Sequence, residues 1–284
     1  MEIVKLDEDN IEDYVNYVTE DVAENIGRMF YRGILAINDG TPVAGMVWEV
    51  RNLMLDSDNE SSIIWLRIDS DDAADALFEE YSSMIRDDDV VQSNFSLPAR
   101  TAAAETKALE RAGFTVKFME GDLIKARLSE IAELPLLKKI RPADSIRPLK
   151  TITQRGFVAG IKRFVAKGLY GICQDLPYLS RTYFENDISC YSEDDGEING
   201  LLLFHLNPSG GLVVVIMGAI GSNYGKILPQ LIKQSVTNAA EFYSPDTEIW
   251  IDRHNYASLA LSEKLFPRGF GIPVYIGSRR ESGT

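Results

Sequence analysis

The chain has 284 residues, 45% hydrophobic and 25% charged, which is long enough for two domains with separate cores. Its net charge of −14 is uneven: residues 1–133 hold 12 Lys+Arg against 29 Asp+Glu (−17), and residues 134–284 hold 17 against 14 (+3). A half at −17 repels phosphates, which excludes sequence-independent nucleic-acid binding by it and directs any polyanionic cofactor to the second half. No apolar run approaches the ~20 residues of a membrane helix. The acidic start, MEIVKLDEDN, has no signal-peptide core. Two cysteines, Cys173 and Cys190, suit a reducing compartment, and two histidines leave little for a histidine-rich metal site. A cytoplasmic protein without metal or membrane contact is expected; the oligomeric state stays open.

In chain order, Glu2 to Leu6 reads as a short strand. Asp9 or Asn10 can cap a helix to about Ile26, with Ile11, Tyr14, Val15, Val18 and Val22 on one stripe. Residues 33–37 and 42–51 read as strands joined by the hairpin turn Asn38-Asp39-Gly40-Thr41. Residues 55–62 read as a polar loop and 63–68 as a strand. A helix follows over 72–85, with Ala73, Leu77, Tyr81 and Met84 on one face. Then come a strand at 90–97, a helix at 101–112, and a strand pair over 114–126 broken at Glu120-Gly121.

The second half repeats this order after a Pro-punctuated linker from Glu133 to Pro142. A helical, basic-aromatic region spans about 144–184. Residues 188–192 and 198–205 form a hairpin about Glu193-Asp194-Asp195-Gly196. An apolar run at 212–217 leads into a helix, and a strand at 248–252, a helix at 257–266 and a last strand at 273–278 complete the half. The period of about 140 residues marks duplication of a whole domain, not a solenoid. The expected domains are therefore 1–133 and 134–284.

The most informative stretch is Gly211 to Val236. The run Leu212 to Met217 has no polar alternation and reads as a strand buried on both faces. A small, polar turn with Gly218, Gly221 and Gly225 follows, and from Ile227 the apolar residues Leu228, Leu231, Ile232 and Val236 recur at helical spacing. Two readings are open: a plain strand-to-helix connection, or an anion site in which free N–H groups and the helix dipole face a ligand beside Lys226. The spacing matches neither GxGxxG nor GxxxxGK[ST], so it supports neither a Rossmann nor a Walker site.

With these elements in place, the chain resembles the GNAT superfamily of N-acetyltransferases, present twice. Ala108 to Phe114 resembles that family's helix ending in Gly-Phe. Asn255 to Leu265, followed by Gly269-Phe270, resembles the same segment in the second half. The resemblance implies an α+β fold of the α/β-sandwich type, with a central mixed sheet flanked by helices in each domain. It also implies an N-acyltransferase that moves an acetyl group from acetyl-CoA to a primary amine of a small molecule or peptide, by direct attack.

The family's pyrophosphate turn, [QR]xxGx[GA], is matched by Ser222 to Ile227 at Gly225 only; Ser222 and Ile227 depart from it. Carried over, the cofactor stretch is Met217, Gly218, Ala219, Gly221, Ser222, Asn223, Tyr224, Gly225, Lys226 and Ile227, with Asn255. The first half has Asp69, Asp71, Asp72 and Asp75 at the corresponding place, and like-charge repulsion opposes the cofactor there. The family's phenolic acid, seven residues after the helix Asn, falls on Ser262, and the first half has Leu109. Tyr256, Tyr224 or solvent would then protonate the thiolate. A non-catalytic GNAT-fold protein, sensing coenzyme A or contacting another protein, is the alternative. The acidic first half points to a cationic amine as acceptor.

Among single residues, His254 beside Asp252 reads either as a polar group at a strand end or as a base. His205 reads as solvated at a hairpin edge. Cys190 reads as a buried structural thiol rather than a cleft nucleophile. Residues 155–167 read as a solvated amphipathic helix, with Phe157, Ile161, Phe164 and Val165 inward and Lys162, Arg163 and Lys167 outward. In the family the corresponding helices wall the acceptor site, which implicates Tyr170, Tyr178 and Tyr183.

Overall fold

The computed structural model describes residues 1–52, 58–100, 102–141, 143–168, 175–252, 265–266 and 271–281. They fall into two compact units, Met1–Glu120 with Ile272–Thr284, and Gly121–Gly271. This division differs from the boundary expected between 133 and 134 at both ends of the second half.

Unit 1 contains β1 (Glu2–Leu6), α1 (Ile11–Val18), α2 (Glu20–Ala23), β2 (Tyr31–Asn38), β3 (Thr41–Asn52), β4 (Asn59–Ile68), α3 (Asp71–Asp87), β5 (Val90–Pro98) and α4 (Ala103–Arg111). The chain's last strand, β12 (Ile272–Arg280), closes its sheet in the order β1-β2-β3-β4-β5-β12. The helix expected to run to Ile26 breaks at Thr19, where φ is 81° and ψ 147°. Asn10 does not cap it with its side chain: its Oδ1 accepts the Asp7 N–H at 3.1 Å and its amide donates to the Lys5 carbonyl at 2.9 Å.

The Asp39-Gly40 turn has φ of 50° and 77°, and Asp195-Gly196 has the same pair. Two positive φ values match the twist of a tight hairpin.

The expected loop over 55–62 is, from Asn59 on, the polar start of β4; residues 53–57 lie outside the described ones. Its polar groups are satisfied inside the fold. The buried Ser61 Oγ lies 2.8 Å from the Tyr81 hydroxyl, which donates to Ser93 Oγ at 2.8 Å. Asn59 donates to the Asp88 carbonyl at 2.8 Å. Helix α3 buries Ala73, Leu77, Tyr81 and Ile85 on Ile34, Met46, Trp48 and Phe95, whereas Val18 of α1 packs with Leu6, Leu35 and Val47. Each such Leu, Ile, Val, Met or Phe side chain contributes ~1.5–3 kcal/mol by leaving water.

Unit 2 runs β6-β11-β10-β9-β8-β7 across its sheet. Its strands are β6 (Lys117–Arg127), β7 (Ile146–Pro148), β8 (Cys190–Asp194), β9 (Glu197–Leu206), β10 (Leu212–Ala219) and β11 (Glu248–Asp252). Its helices are α5 (Leu128–Ala132), α6 (Pro135–Lys139), α7 (Gln154–Ala166) and α8 (Tyr224–Phe242). The expected linker is thus helical, and it is core: Leu134 and Leu137 are buried in the cluster that includes Leu231 and Val236 of α8. Helix α7 matches its expected stripe, with Phe157, Ile161 and Phe164 buried, and Thr153 caps it by accepting the Gly156 N–H at 3.1 Å. Gly200 of β9 lets α8 approach, since a Cβ there would lie 2.5 Å from Ile227.

The largest departure from expectation is which strand closes which sheet. The stretch 114–126 was expected as a broken pair in the first half; it is one strand, β6, that pairs antiparallel with β11 from Leu123↔Asp252 to Arg127↔Glu248. Strand β12 pairs antiparallel with β5, from Val274↔Pro98 to Arg280↔Gln92. Arg279 pins it, donating to the Ala112 carbonyl at 2.9 Å and to Ser82 Oγ at 3.1 Å, with its guanidinium 4.7 Å from the Phe114 ring centre. Each half of the chain thus supplies the last strand of the other unit's sheet.

Candidate functional site

The site expected at residues 217–227 begins on β10. This strand pairs with β9 from Leu212↔Leu206 to Ala219↔Gly200, with an irregularity between Val214 and Ile216 that leaves Val215 as a bulge. On its other side β10 pairs with the parallel β11 only at Leu212↔Ile249 and Val213↔Trp250. Beyond Val213 the two strands part, and the backbone edge of β10 from Val214 to Ala219 is left without a described strand partner. The expectation of burial on both faces therefore holds for Leu212 and Ile216 only; Val213, Val214, Val215 and Met217 are half-buried. Beneath the parting, Val214, Met217, Ile249, Ile251, Leu265 and Phe266 close around an apolar cavity of only about 30 Å³. Its floor is packed.

The turn after β10 is exposed from Gly221 to Asn223 and again at Gly225 and Lys226. Helix α8 starts at Tyr224, three residues before its expected apolar start, so Gly225, Lys226 and Ile227 all lie in its first turn. The Asn223 carbonyl accepts the Lys226 and Ile227 N–H groups at 2.9 and 3.2 Å. The N–H groups of Gly221, Ser222, Asn223 and Gly225 have no described acceptor, and Asn223 makes no side-chain cap. Gly221 needs its glycine for a φ of 96°; a Cβ on it, or on Gly225, would meet nothing within 4 Å. Open space over free N–H donors at a helix N-terminus fits a phosphate. No acidic residue lies between Glu197 and Glu241, and Lys226 adds a positive charge. Pro229 lies inside α8, so the Gly225 carbonyl lacks its i+4 donor as well.

Of the expected cofactor residues, Met217, Gly218 and Ala219 line the parted edge, and Gly221 to Lys226 form the turn. Ile227 does not face it: its side chain is buried in the core against Gly200. Of the expected catalytic residues, Asp252 closes β11 opposite Leu123, with only its backbone described. His254, Asn255 and Tyr256 lie outside the described residues, as do Tyr170, Cys173 and Ser262.

The other singled-out residues are placed as follows. Cys190 is fully buried and donates to the Ile188 carbonyl at 3.5 Å; burial pushes its thiol up to about 11, so it is no nucleophile at neutral pH. His205 is not simply solvated. It is half-buried, stacked on Tyr183 at 4.0 Å and 5°, with Nδ1 2.8 Å from the Tyr183 carbonyl. Tyr178 is 74% exposed and lines an open depression with Gln154, Pro177 and Arg181. The sequence reading missed the bulge and the parting of β10 from β11; both are backbone features that no residue type announces.

Unit 1 repeats this arrangement with different chemistry. Strand β4 is bulged at Ile64, as far from its end at Ile68 as Val215 is from Ala219. It pairs with the parallel β5 from Asn59↔Val90 to Ile63↔Phe95 and then parts from it. At the parted edge the Ile68 N–H donates to Glu105 Oε1 at 3.2 Å. The first turn of α3 is acidic, and Arg111 pairs with Asp71 and Asp75 at 3.3 and 3.6 Å. Asp69 accepts from Arg67 at 3.0 Å and from the Tyr17 hydroxyl at 2.9 Å. Burial, and then Asp69 itself, raise the Tyr17 phenol well above its ordinary value, which keeps it a fixed donor.

Among the described residues, no group of three or more His, Cys, Asp or Glu could hold a metal, and no helix is long and apolar enough to cross a membrane.

No protein-family model matches the chain, and no curated protein matches it in sequence. Solved structures do. A tandem GNAT protein from the clavulanic acid biosynthesis pathway superposes with a TM-score of 0.63 at 9% identity, covering 100% of this chain and 99% of that one. A GCN5-related N-acetyltransferase from Sphaerobacter thermophilus superposes at 0.58 with 12% identity, covering 99% and 97%. At such identities the likeness is one of fold. The chain has the GNAT acetyltransferase fold, and its order of elements presents that fold twice.

Proposed function

We propose that unit 2 binds acetyl-CoA at the parted edge of β10 and transfers its acetyl group to a primary amine, while unit 1 takes no acetyl-CoA. The observation that carries this reading is the pairing of a bulged strand, without a described strand partner on one side from Val214, with an exposed turn whose N–H groups have no described acceptor. The turn from Gly221 to Gly225 would hold the pyrophosphate through backbone N–H groups, with Lys226 adding charge. The free edge of β10 from Val214 to Ala219 would pair with the amide-bearing arm of the cofactor, and N–H groups beside the Val215 bulge would polarise the carbonyl. Bound there, acetyl-CoA supplies an activated thioester carbonyl. Asp252, at the end of β11, is the candidate to take up the amine proton, with His254 as a further candidate from sequence, and Tyr256 or solvent would protonate the departing thiolate. In unit 1, Glu105 already occupies an N–H of the corresponding edge, and Asp71 and Asp72 stand in the first turn of α3. Both features oppose a pyrophosphate.

Ser262, where the family has its phenolic acid, favours a second reading in which the coenzyme is bound without transfer. Release of free thiol from acetyl-CoA on adding a panel of primary amines tells the two apart. Amine-dependent release at a rate above the uncatalysed background supports the transferase. Binding without release across the panel supports the sensor.

A further inference from the structure

Unit 1 contains a cleft of about 480 Å³ where β4 parts from β5. Trp65, Leu97 and Pro98 supply apolar wall, and Arg67, Asp69 and Glu105 supply the polar groups. Arg67 is engaged: its Nε pairs with Asp69 and its guanidinium lies 4.2 Å from the Tyr17 ring centre. Asp69 uses one oxygen, Oδ2, for both Arg67 and Tyr17, and Oδ1 has no described donor.

Glu105 is the unusual group. It is only 8% exposed, yet it accepts a single hydrogen bond, through Oε1 from the Ile68 N–H. Its other oxygen has no described donor, and Glu105 lines the cleft. A mostly buried carboxylate with one neutral donor keeps an oxygen to receive an ammonium, and a charge-assisted hydrogen bond there is stronger than one fully at the surface. Arg67 offsets Asp69 and leaves the charge of Glu105 uncancelled within the cleft.

We propose that this cleft is a second ligand site, for a small primary amine whose ammonium sits on the free oxygens of Glu105 and Asp69. The apolar part of the ligand lies against Trp65, Leu97 and Pro98. Unit 1 holds 12 Lys+Arg against 27 Asp+Glu, a net −15 that concentrates such cations around it. The proposal does not depend on acetyl transfer in unit 2.

The test is calorimetric titration of the full chain, without acetyl-CoA, using tyramine as probe. Its neutral analogue 4-ethylphenol and its anionic analogue 3-(4-hydroxyphenyl)propionate serve as comparisons. Expected is saturable binding of tyramine, weaker by at least about tenfold for either analogue. Glu105→Gln keeps an oxygen to accept the Ile68 N–H while removing the charge, and should weaken tyramine at least about tenfold with the thermal midpoint held. Should that variant not fold, Asp69→Asn is read instead, with the same expectation. Tyramine binding unchanged in the folded variant would overturn the proposal, because the amine would then sit elsewhere. No binding at millimolar tyramine, or equal binding of the anion, would overturn it as well.

Discussion

Gly225→Glu should push fold stability and cofactor binding in opposite directions. Gly225 is the second residue of α8, exposed, with nothing within 4 Å of where a Cβ would stand. The first atom of the new side chain therefore meets no steric opposition. Glycine costs a helix ~1 kcal/mol against good formers, and a carboxylate in the first turn gains ~0.3–1 kcal/mol from the dipole. The ligand-free protein should gain ~1 kcal/mol, or ~2–4 °C in midpoint for a unit of this size. With acetyl-CoA the sign reverses. A unit charge about 4 Å from another costs ~1 kcal/mol in water and ~4 kcal/mol at an effective dielectric of 20. The turn is exposed, so the lower part of that range applies, and the side chain also covers the free N–H groups. An affinity loss of at least about tenfold follows. Scanning calorimetry without ligand and titration with acetyl-CoA check the two halves. A variant that is less stable without ligand, or that binds acetyl-CoA as wild type does, would refute this account of the turn.

Three further outcomes follow from particular geometry. Thr19, at φ 81° and ψ 147°, holds a backbone conformation that a β-branched residue resists, so Thr19→Gly should stabilise the fold by ~1 kcal/mol in urea unfolding. Gly277→Ala would set a Cβ 1.7 Å from the Thr115 carbonyl oxygen and 2.6 Å from the Phe95 ring, and should destabilise by at least ~2 kcal/mol, read as a lower urea midpoint. The Cys190 thiol titrates near 9 when unfolded and about 11 when folded, so the unfolded chain releases its proton first. Its contribution, ~2–3 kcal/mol, is present below pH 9 and lost as pH rises through about 11. Cys190→Ala should flatten the fall of stability across that window.

Much of the fold was legible because its signals are local. The two Asp-Gly hairpins, the apolar face of α3, the stripe of α7 and the strand-turn-helix of β10 and α8 all sit within short windows, and together they carried the family resemblance. What escaped was set by distant partners. Nothing within 117–127 or 272–280 announces that these strands close each other's sheets; the register with β11 and β5 decides it. The polar start of β4 reads as loop until Tyr81 and Asp88 are seen to satisfy it. Leu134 and Leu137 read as linker because their core partners lie on α8. At the site, sequence found the turn through its glycines but not the bulge at Val215 or the parting from β11, which are properties of the backbone. Glu105 went unmarked because a lone Glu on a helix carries no signal until its burial against Ile68 is known.

The central claim is that only unit 2 can take acetyl-CoA. Titration of wild-type protein with acetyl-CoA by calorimetry tests it most directly. One molecule bound per chain, at micromolar affinity, is the predicted result. Two per chain would contradict the exclusion of the cofactor from unit 1, and no binding at millimolar ligand would contradict the assignment of the turn at Gly221 to Gly225.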